Sequence, residues 1–392
     1  MKKGKLLCAA LIAVCLLAGQ AAVAAGEFGG NGPAGLWKLI GVEAADGTYS
    51  EEEVQEMESL GSTMYLDLYD DYTAKVNYFG QEMDGSWDDN YLYFNEMGVP
   101  YILEGDLLSL QNGDEILRMS RTNKEEIDRI LGYETGVLDE NVEYTWEEQP
   151  ILECEAGSVT ITGYEVDPQG LHVKVRCTNT WDHQIVFSTK YGVVNRYEID
   201  PGWAQAADPG VSVESEILFP VKELKRGGIT AADELILNLQ ASDFTTWEML
   251  ADNVVATVYP TGKTAADIVP APRETADTDV TAVENEACSF VVLGYELDAA
   301  MGCLIHYYYE NRTDRTVSFN CDHCKVNGRE VPIYGVSEVP AGCRGFGTAS
   351  VPKSDLEENR INGIDAIQFT VTVYDAEGEA AQMLANGTVT LP

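Results

Sequence analysis

The chain has 392 residues, 45% of them hydrophobic and 23% charged, with a net charge of −40. That length exceeds one ordinary domain and predicts two or three, and the composition is that of a folded protein able to bury real cores. With 65 acidic against 25 basic residues, the surface repels phosphate backbones and anionic bilayers, which argues against nucleic-acid partners.

Residues 1–25 read as a signal peptide. Lys2, Lys3 and Lys5 form a basic start, an apolar run follows from Leu6 to Gly19, and Ala22, Ala24 and Ala25 supply the small residues of a cleavage site. The run is too short for a membrane span, and no later stretch reaches the length of one. Val14 before Cys15, and Gln20 after the small residues, argue against lipidation. The chain is therefore expected to be secreted or extracytoplasmic, in some cases held at the cell envelope. Taking three lysines from a charge of −40 leaves −43 for the mature chain. Removal of Cys8 and Cys15 leaves seven of nine cysteines. Export permits disulfides, but an odd number leaves at least one thiol unpaired.

The first module covers residues 35–121. "GLWKLIGVEAADGTY" reads as a strand closed by a turn at Asp46-Gly47. In "SEEEVQEMESLG", Ser50 and Glu53 form a capping box. Val54, Met57 and Leu60 share a helix face, and Gly61 stops it. The period then changes to two: Met64, Leu66 and Leu68 alternate with Tyr65, Asp67 and Tyr69. Further short strands follow, with turns at Asp70-Asp71, Asp88-Asp89, Gly105-Asp106 and Asn112-Gly113. Such a meander predicts an up-and-down antiparallel sheet curled toward a small barrel. Trp37, Met64, Leu66, Trp87 and Leu92 read either as its core or as the lining of a ligand cavity. Residues 122–150 begin with a helical pattern that packs Ile127, Ile130 and Leu131, then continue as an acidic linker.

Residues 151–260 and 286–392 read as two copies of one module, joined by a linker over 261–285. "VTITGYEVD" (159–167) matches "FVVLGYELD" (290–298) at a spacing of 131, and after one insertion the spacing holds at 132. Asn179 then falls on Asn311, "VNRYEI" on "VNGREV", Leu224 on Leu356 and Ile229 on Ile361. Short alternating strands with frequent turns predict an antiparallel sandwich for each copy. "KELKRGGI" and "SDLEENRI" read as helical turns crossing between sheets.

Gly35-Leu36-Trp37, a short helix, a meander and a terminal Arg118/Arg121 resemble the lipocalin-like domains of secreted bacterial proteins. That resemblance implies a small barrel in which Trp37 packs under Arg118 or Arg121, with Arg118 among the ligand-contacting residues. The two copies resemble immunoglobulin-like repeats of secreted Gram-positive proteins of undefined function, through Asn179/Asn311, the "VNxxE" corner and Leu224/Leu356. The expected fold class is thus all-β: a lipocalin-like barrel with one short helix, then two tandem immunoglobulin-like sandwiches.

One stretch stands apart. "CDHC", residues 321–324, lies where the first copy has Thr189, Lys190, Tyr191 and Gly192. The flanking runs "TVSFN" and "KVNGREV" place it in a connection between strands. No helix follows to lower a thiol pKa, which argues against redox catalysis. Cys321, His323 and Cys324 remain open as part of a metal site, as disulfide partners of Cys303 or Cys343, or as inert cysteines. No G-x-S-x-G, H-E-x-x-H or P-loop is present and no cofactor is expected. The reading is a non-enzymatic binding or scaffolding protein. Its partner is expected to be an envelope or extracellular protein, met for instance at a sheet edge. The alternatives are carriage of a small apolar ligand in the barrel and a metal or thiol site at CDHC.

Overall fold

The computed structural model describes residues 32–44, 47–59, 63–78, 81–94, 97–113, 115–298, 301–376 and 383–391. The signal-peptide reading of residues 1–25, the Asp46-Gly47 turn and the helix stop at Gly61 lie outside the described residues. The protein is all-β and divides into two compact units after Glu134.

The first unit runs β1 (Gly35–Ala44), β2 (Gly47–Tyr49), α1 (Glu51–Ser59), β3 (Met64–Leu68), β4 (Thr73–Tyr78), β5 (Gln81–Trp87), β6 (Tyr91–Phe94), β7 (Met97–Glu104), β8 (Leu107–Asn112), β9 (Glu115–Arg121) and α2 (Lys124–Leu131). Strands β3 to β9 pair in sequence order, and β1 joins both β3 and β9, so the meander closes into a barrel. Closure is possible because β1 is long and bulged. Its start pairs with β3 over Gly35–Lys38, and a register shift between Leu39 and Gly41 lets it follow β9 to Glu43. Alternation sends Trp37, Leu39, Met64, Leu66 and Leu68 inward with Leu108, Leu110 and Met119, and α1 adds Val54. The capping box starts α1: Glu53 N donates to Ser50 Oγ at 3.3 Å, and Ser50 N donates to Glu53 Oε2 at 3.0 Å. In α2, Asn123 caps the start and Gly132, at φ 70°, ends it, with Ile127 and Ile130 buried.

The second unit continues β10 (Pro150–Cys154), β11 (Gly157–Asp167), β12 (Gly170–Asn179), β13 (Ile185–Val194), β14 (Tyr197–Glu198), β15 (Ala204–Ala207), β16 (Ser212–Pro220), α3 (Val221–Arg226), β17 (Leu235–Asp243) and β18 (Met249–Val258). After a short 3-10 turn at Ala265–Asp267 come β19 (Val280–Glu284), β20 (Cys288–Asp298), β21 (Gly302–Asn311), β22 (Val317–Val326), β23 (Arg329–Glu330), β24 (Val336–Val339), β25 (Arg344–Pro352), α4 (Lys353–Glu358), β26 (Ile367–Asp375) and β27 (Met383–Leu391).

The order β10-β11-β12-β16 in one sheet matches β19-β20-β21-β25 in another. Likewise β13 pairs with β14, β15 and β17 while β22 pairs with β23, β24 and β26. Each pair of sheets encloses an apolar core, one around Val173, Val175, Phe187 and Leu237, the other around Phe290, Ile305, Phe319 and Val371. Buried asparagines tie the same corners in both. Asn179 Nδ2 donates to His183 O and Ala207 O at 2.8 Å, and Asn311 Nδ2 donates to Arg315 O at 2.7 Å and Val339 O at 2.9 Å. Asn195 Oδ1 accepts from Asp233 N and Glu234 N, as Asn327 Oδ1 does from Asp365 N and Ala366 N.

The two sandwiches are joined by a parallel pairing of β14 with β25, Tyr197 opposite Arg344 and Glu198 opposite Gly345. Tyr309 donates to Glu198 Oε2 at 3.1 Å across this seam, and the Tyr197 ring stacks on Phe346 at 6.1 Å. The intervening segments are pinned. Tyr197 Oη donates to Ala271 O at 3.0 Å, and Arg273 lies 2.7 Å from Asp279 with its guanidinium 5.2 Å from the Tyr308 ring. Upstream, Asp139 N donates to Thr230 O at 2.8 Å and Leu138 joins the first sandwich's core.

Candidate functional site

In the barrel, Trp37, Met64, Leu66, Trp87 and Leu92 all lie in one buried apolar cluster. The Trp37 indole N–H donates to Pro33 O at 2.7 Å, and the Arg121 guanidinium lies 4.3 Å over its ring. Arg121 also donates to Ala34 O and Gly32 O, both at 2.8 Å. Gly35 makes this stack possible. It sits at φ +128°, and a Cβ there would come within 2.6 Å of Arg121 Nη1. The arginine that covers Trp37 is therefore Arg121, while Arg118 lies outward and pairs with Glu43 at 2.6 Å. Met119 is buried, so the alternation that turns Arg121 toward the tryptophan turns Arg118 away.

The CDHC stretch corrects the expectation of a connection between strands. It lies inside β22, where the register shifts between Asp322 and Lys325 and His323 takes φ 52°. The extra residue puts two positions three apart on one face, so Cys321 and Cys324 both point into the core. Burial raises both thiols to about 12, and Cys303 to about 11. At neutral pH they are protonated and poor nucleophiles. All seven described cysteines are unpaired. An open hollow of ≈ 370 Å³ lies over CDHC, walled by Glu330, Val331, Pro332 and Ile333. Among the described residues, no group of three His, Cys, Asp or Glu side chains converges as metal ligation requires.

Three of the four histidines lie against carboxylates: His172 between Asp167 and Glu216 at 3.1 and 2.9 Å, His183 beside Asp243 at 2.9 Å, and His306 beside Glu296 at 3.3 Å, while His323 is exposed. Asp71 and Asp88 accept hydrogen bonds from Thr73, Asn90 and Tyr91 as turn residues.

Two aromatic sites on the first sandwich went unread in the sequence. At the β17–β18 turn, Phe244 and Trp247 are 46% and 67% exposed with rings 6.1 Å apart. The turn is rigid. Asp243 Oδ1 accepts from Thr245 N at 2.8 Å and Thr246 N at 2.6 Å, and Trp247 N donates to Asp243 O at 2.9 Å. The Thr246 amide, then His183, hold the Asp243 carboxyl at about 2. Beside His183, the Trp181 ring stands 5.0 Å from the imidazole. The second site is a cleft of ≈ 370 Å³ between residues 145–149, the middle of β11 and the end of β18, lined by Trp146, Glu147, Gln149, Tyr164, Tyr259 and Pro260. Two rings in a short turn, "DFTTW", and a tryptophan in an acidic stretch were the available signals.

A closed barrel followed by paired β-sheets defines an all-β class of protein. No family model matches the chain, and no curated protein matches it. Among solved structures it is similar to the exo-chitosanase CsxA of Amycolatopsis orientalis, at 13% identity and a TM-score of 0.19 over 56% of this chain, and it spans 25% of that chain. It is similar to a mutant of Bacillus subtilis oxalate decarboxylase at 9% identity and a TM-score of 0.09, covering 73% of this chain and 90% of that one. Neither likeness carries an argument about fold or chemistry.

Proposed function

We propose that this is an exported, non-enzymatic binding protein that works at the cell envelope or outside the cell, built from a lipocalin-like barrel and one immunoglobulin-like sandwich used twice. The repeat is supported by strands of equal length in equal order, such as β11 and β20 with 11 residues each and β13 and β22 with 10. The binding reading is carried by Phe244 and Trp247, exposed rings on a hydrogen-bonded turn. Large aromatics on an ordered turn lose less entropy on docking than long flexible chains and are typical anchors of interfaces. No helix among the described residues is long and apolar enough to cross a membrane. Sedimentation of the purified chain with isolated cell envelopes tests the proposal. The chain should co-sediment, and a Phe244→Ala/Trp247→Ala variant should lose most of that binding. Equal sedimentation of both would remove the role of the turn.

A further inference from the structure

The cleft beside Trp146 has the chemistry of a ligand site. Its frame is fixed on both sides of the indole. Thr145 donates to Pro260 O through its amide at 2.7 Å and its hydroxyl at 3.1 Å, and Ile161 N donates to Gln149 O at 3.4 Å. Gly163 lies beneath the ring, where a Cβ would meet Trp146 Cε2 and Cζ2 at 3.9 Å, so the indole rests against the strand. The ring is nevertheless 51% exposed. The side chains of Trp146, Glu147, Gln149 and Tyr164 have no hydrogen-bond partner among the described residues. Neighbouring polar side chains such as Thr145 and Thr261 are paired.

We propose that this cleft binds an uncharged carbohydrate, with one sugar ring stacked on Trp146 and its hydroxyls bonded to Glu147, Gln149 and Tyr164. A sugar ring has an apolar C–H face for the indole and a polar rim for the unspent donors and acceptors. The volume of ≈ 370 Å³ suits one or two rings. A purely apolar ligand would strand the polar groups, and Glu147 repels an anion. The inference rests on the binding-protein reading but uses residues separate from Phe244 and Trp247.

Isothermal titration of the purified full chain with cellotetraose, maltotetraose and N-acetylglucosamine tetramer tests it. At least one should bind with a dissociation constant in the micromolar to millimolar range. Trp146→Ala should weaken that binding by at least about tenfold, and Gln149→Ala by less. Tyr334→Ala, at an exposed ring on the second sandwich, should leave it unchanged. Trp146 is half exposed, so its variant should keep the parent's thermal unfolding, which is measured alongside. No heat from any of the three sugars, or binding indifferent to Trp146→Ala, overturns the proposal. Envelope sedimentation lost only with Phe244 and Trp247 would leave the broader reading standing in that case.

Discussion

The two sandwiches of the second unit are alike where they hold themselves together and unlike where they meet water. Asn179 and Asn311 tie the same corner, as do Asn195 and Asn327. By contrast, Trp181 in the first has Thr313 as its counterpart 132 residues on, and Trp146 has Asp277 at the spacing of 131. The second sandwich puts its distinctive residues inside: Cys303, Cys321, Cys324 and Cys343 are buried. Shared positions report the demands of the fold. The divergent ones include exposed tryptophans in the first and these four buried thiols in the second.

The largest expected effect concerns those thiols. At pH 8, reaction of the folded chain with a thiol reagent should be slower than in denaturant by more than about 100-fold for Cys303, Cys321, Cys324 and Cys343, since reaction requires opening of the core. Rapid labelling of Cys321 or Cys324 in the native chain would make the CDHC hollow a reactive site after all. Next come the paired asparagines. Asn179→Ala and Asn311→Ala each strand buried carbonyls and an amide and should each cost about 3–4 kcal/mol in denaturant unfolding. Costs that differ by more than about 2 kcal/mol would break the equivalence of the two corners.

The seam between the sandwiches gives a pH dependence. Withdrawal from water raises the Glu198 carboxyl to about 7, despite the hydrogen bond from Tyr309, with Asp200 and Glu338 adding repulsion. A raised pKa means that the contribution to stability is fully present below the unfolded value near 4.5 and is lost as pH rises through about 7. Glu198 should therefore cost stability above neutral pH, by up to about 3 kcal/mol. Glu198→Gln should flatten the difference between unfolding at pH 5 and at pH 8, and an unchanged difference would place the titration elsewhere. The smallest effect is in the barrel. Arg121→Ala should cost about 1–2 kcal/mol through the lost stack on Trp37 and two hydrogen bonds. Arg118→Ala, which breaks an exposed ion pair, should cost under about 0.5 kcal/mol.

Much of the framework was legible. Alternation placed Met64, Leu66 and Leu68 inward, and the Ser50/Glu53 spacing marked a helix start. Constant spacing between residues 159 and 392 anticipated the matching strand orders. One choice left open, between Arg118 and Arg121, and one misreading have simple causes. Arg118 and Arg121 are three apart on a strand and cannot share a face. Leu117, Met119 and Arg121 form one alternating set, and it is this set that leads to Trp37. The flanking runs "TVSFN" and "KVNGREV" suggested a loop at Cys321–Cys324; the strand instead continues through an inserted residue between Asp322 and Lys325, which leaves no mark in composition. The cleft was not legible at all, since it is assembled from a segment near residue 146 and a strand end near residue 259.

The proposed binding residues, Trp146, Phe244 and Trp247, all belong to the first sandwich and the segment leading into it. The most direct test of that placement is envelope sedimentation and sugar titration of three full-length variants: Trp146→Ala, Phe244→Ala/Trp247→Ala, and Tyr334→Ala, which removes a ring 61% exposed on the second sandwich. Loss of sugar binding in the first, loss of envelope binding in the second and parent behaviour in the third is the predicted result. Loss of either activity in Tyr334→Ala, with the first-sandwich variants unaffected, would contradict it.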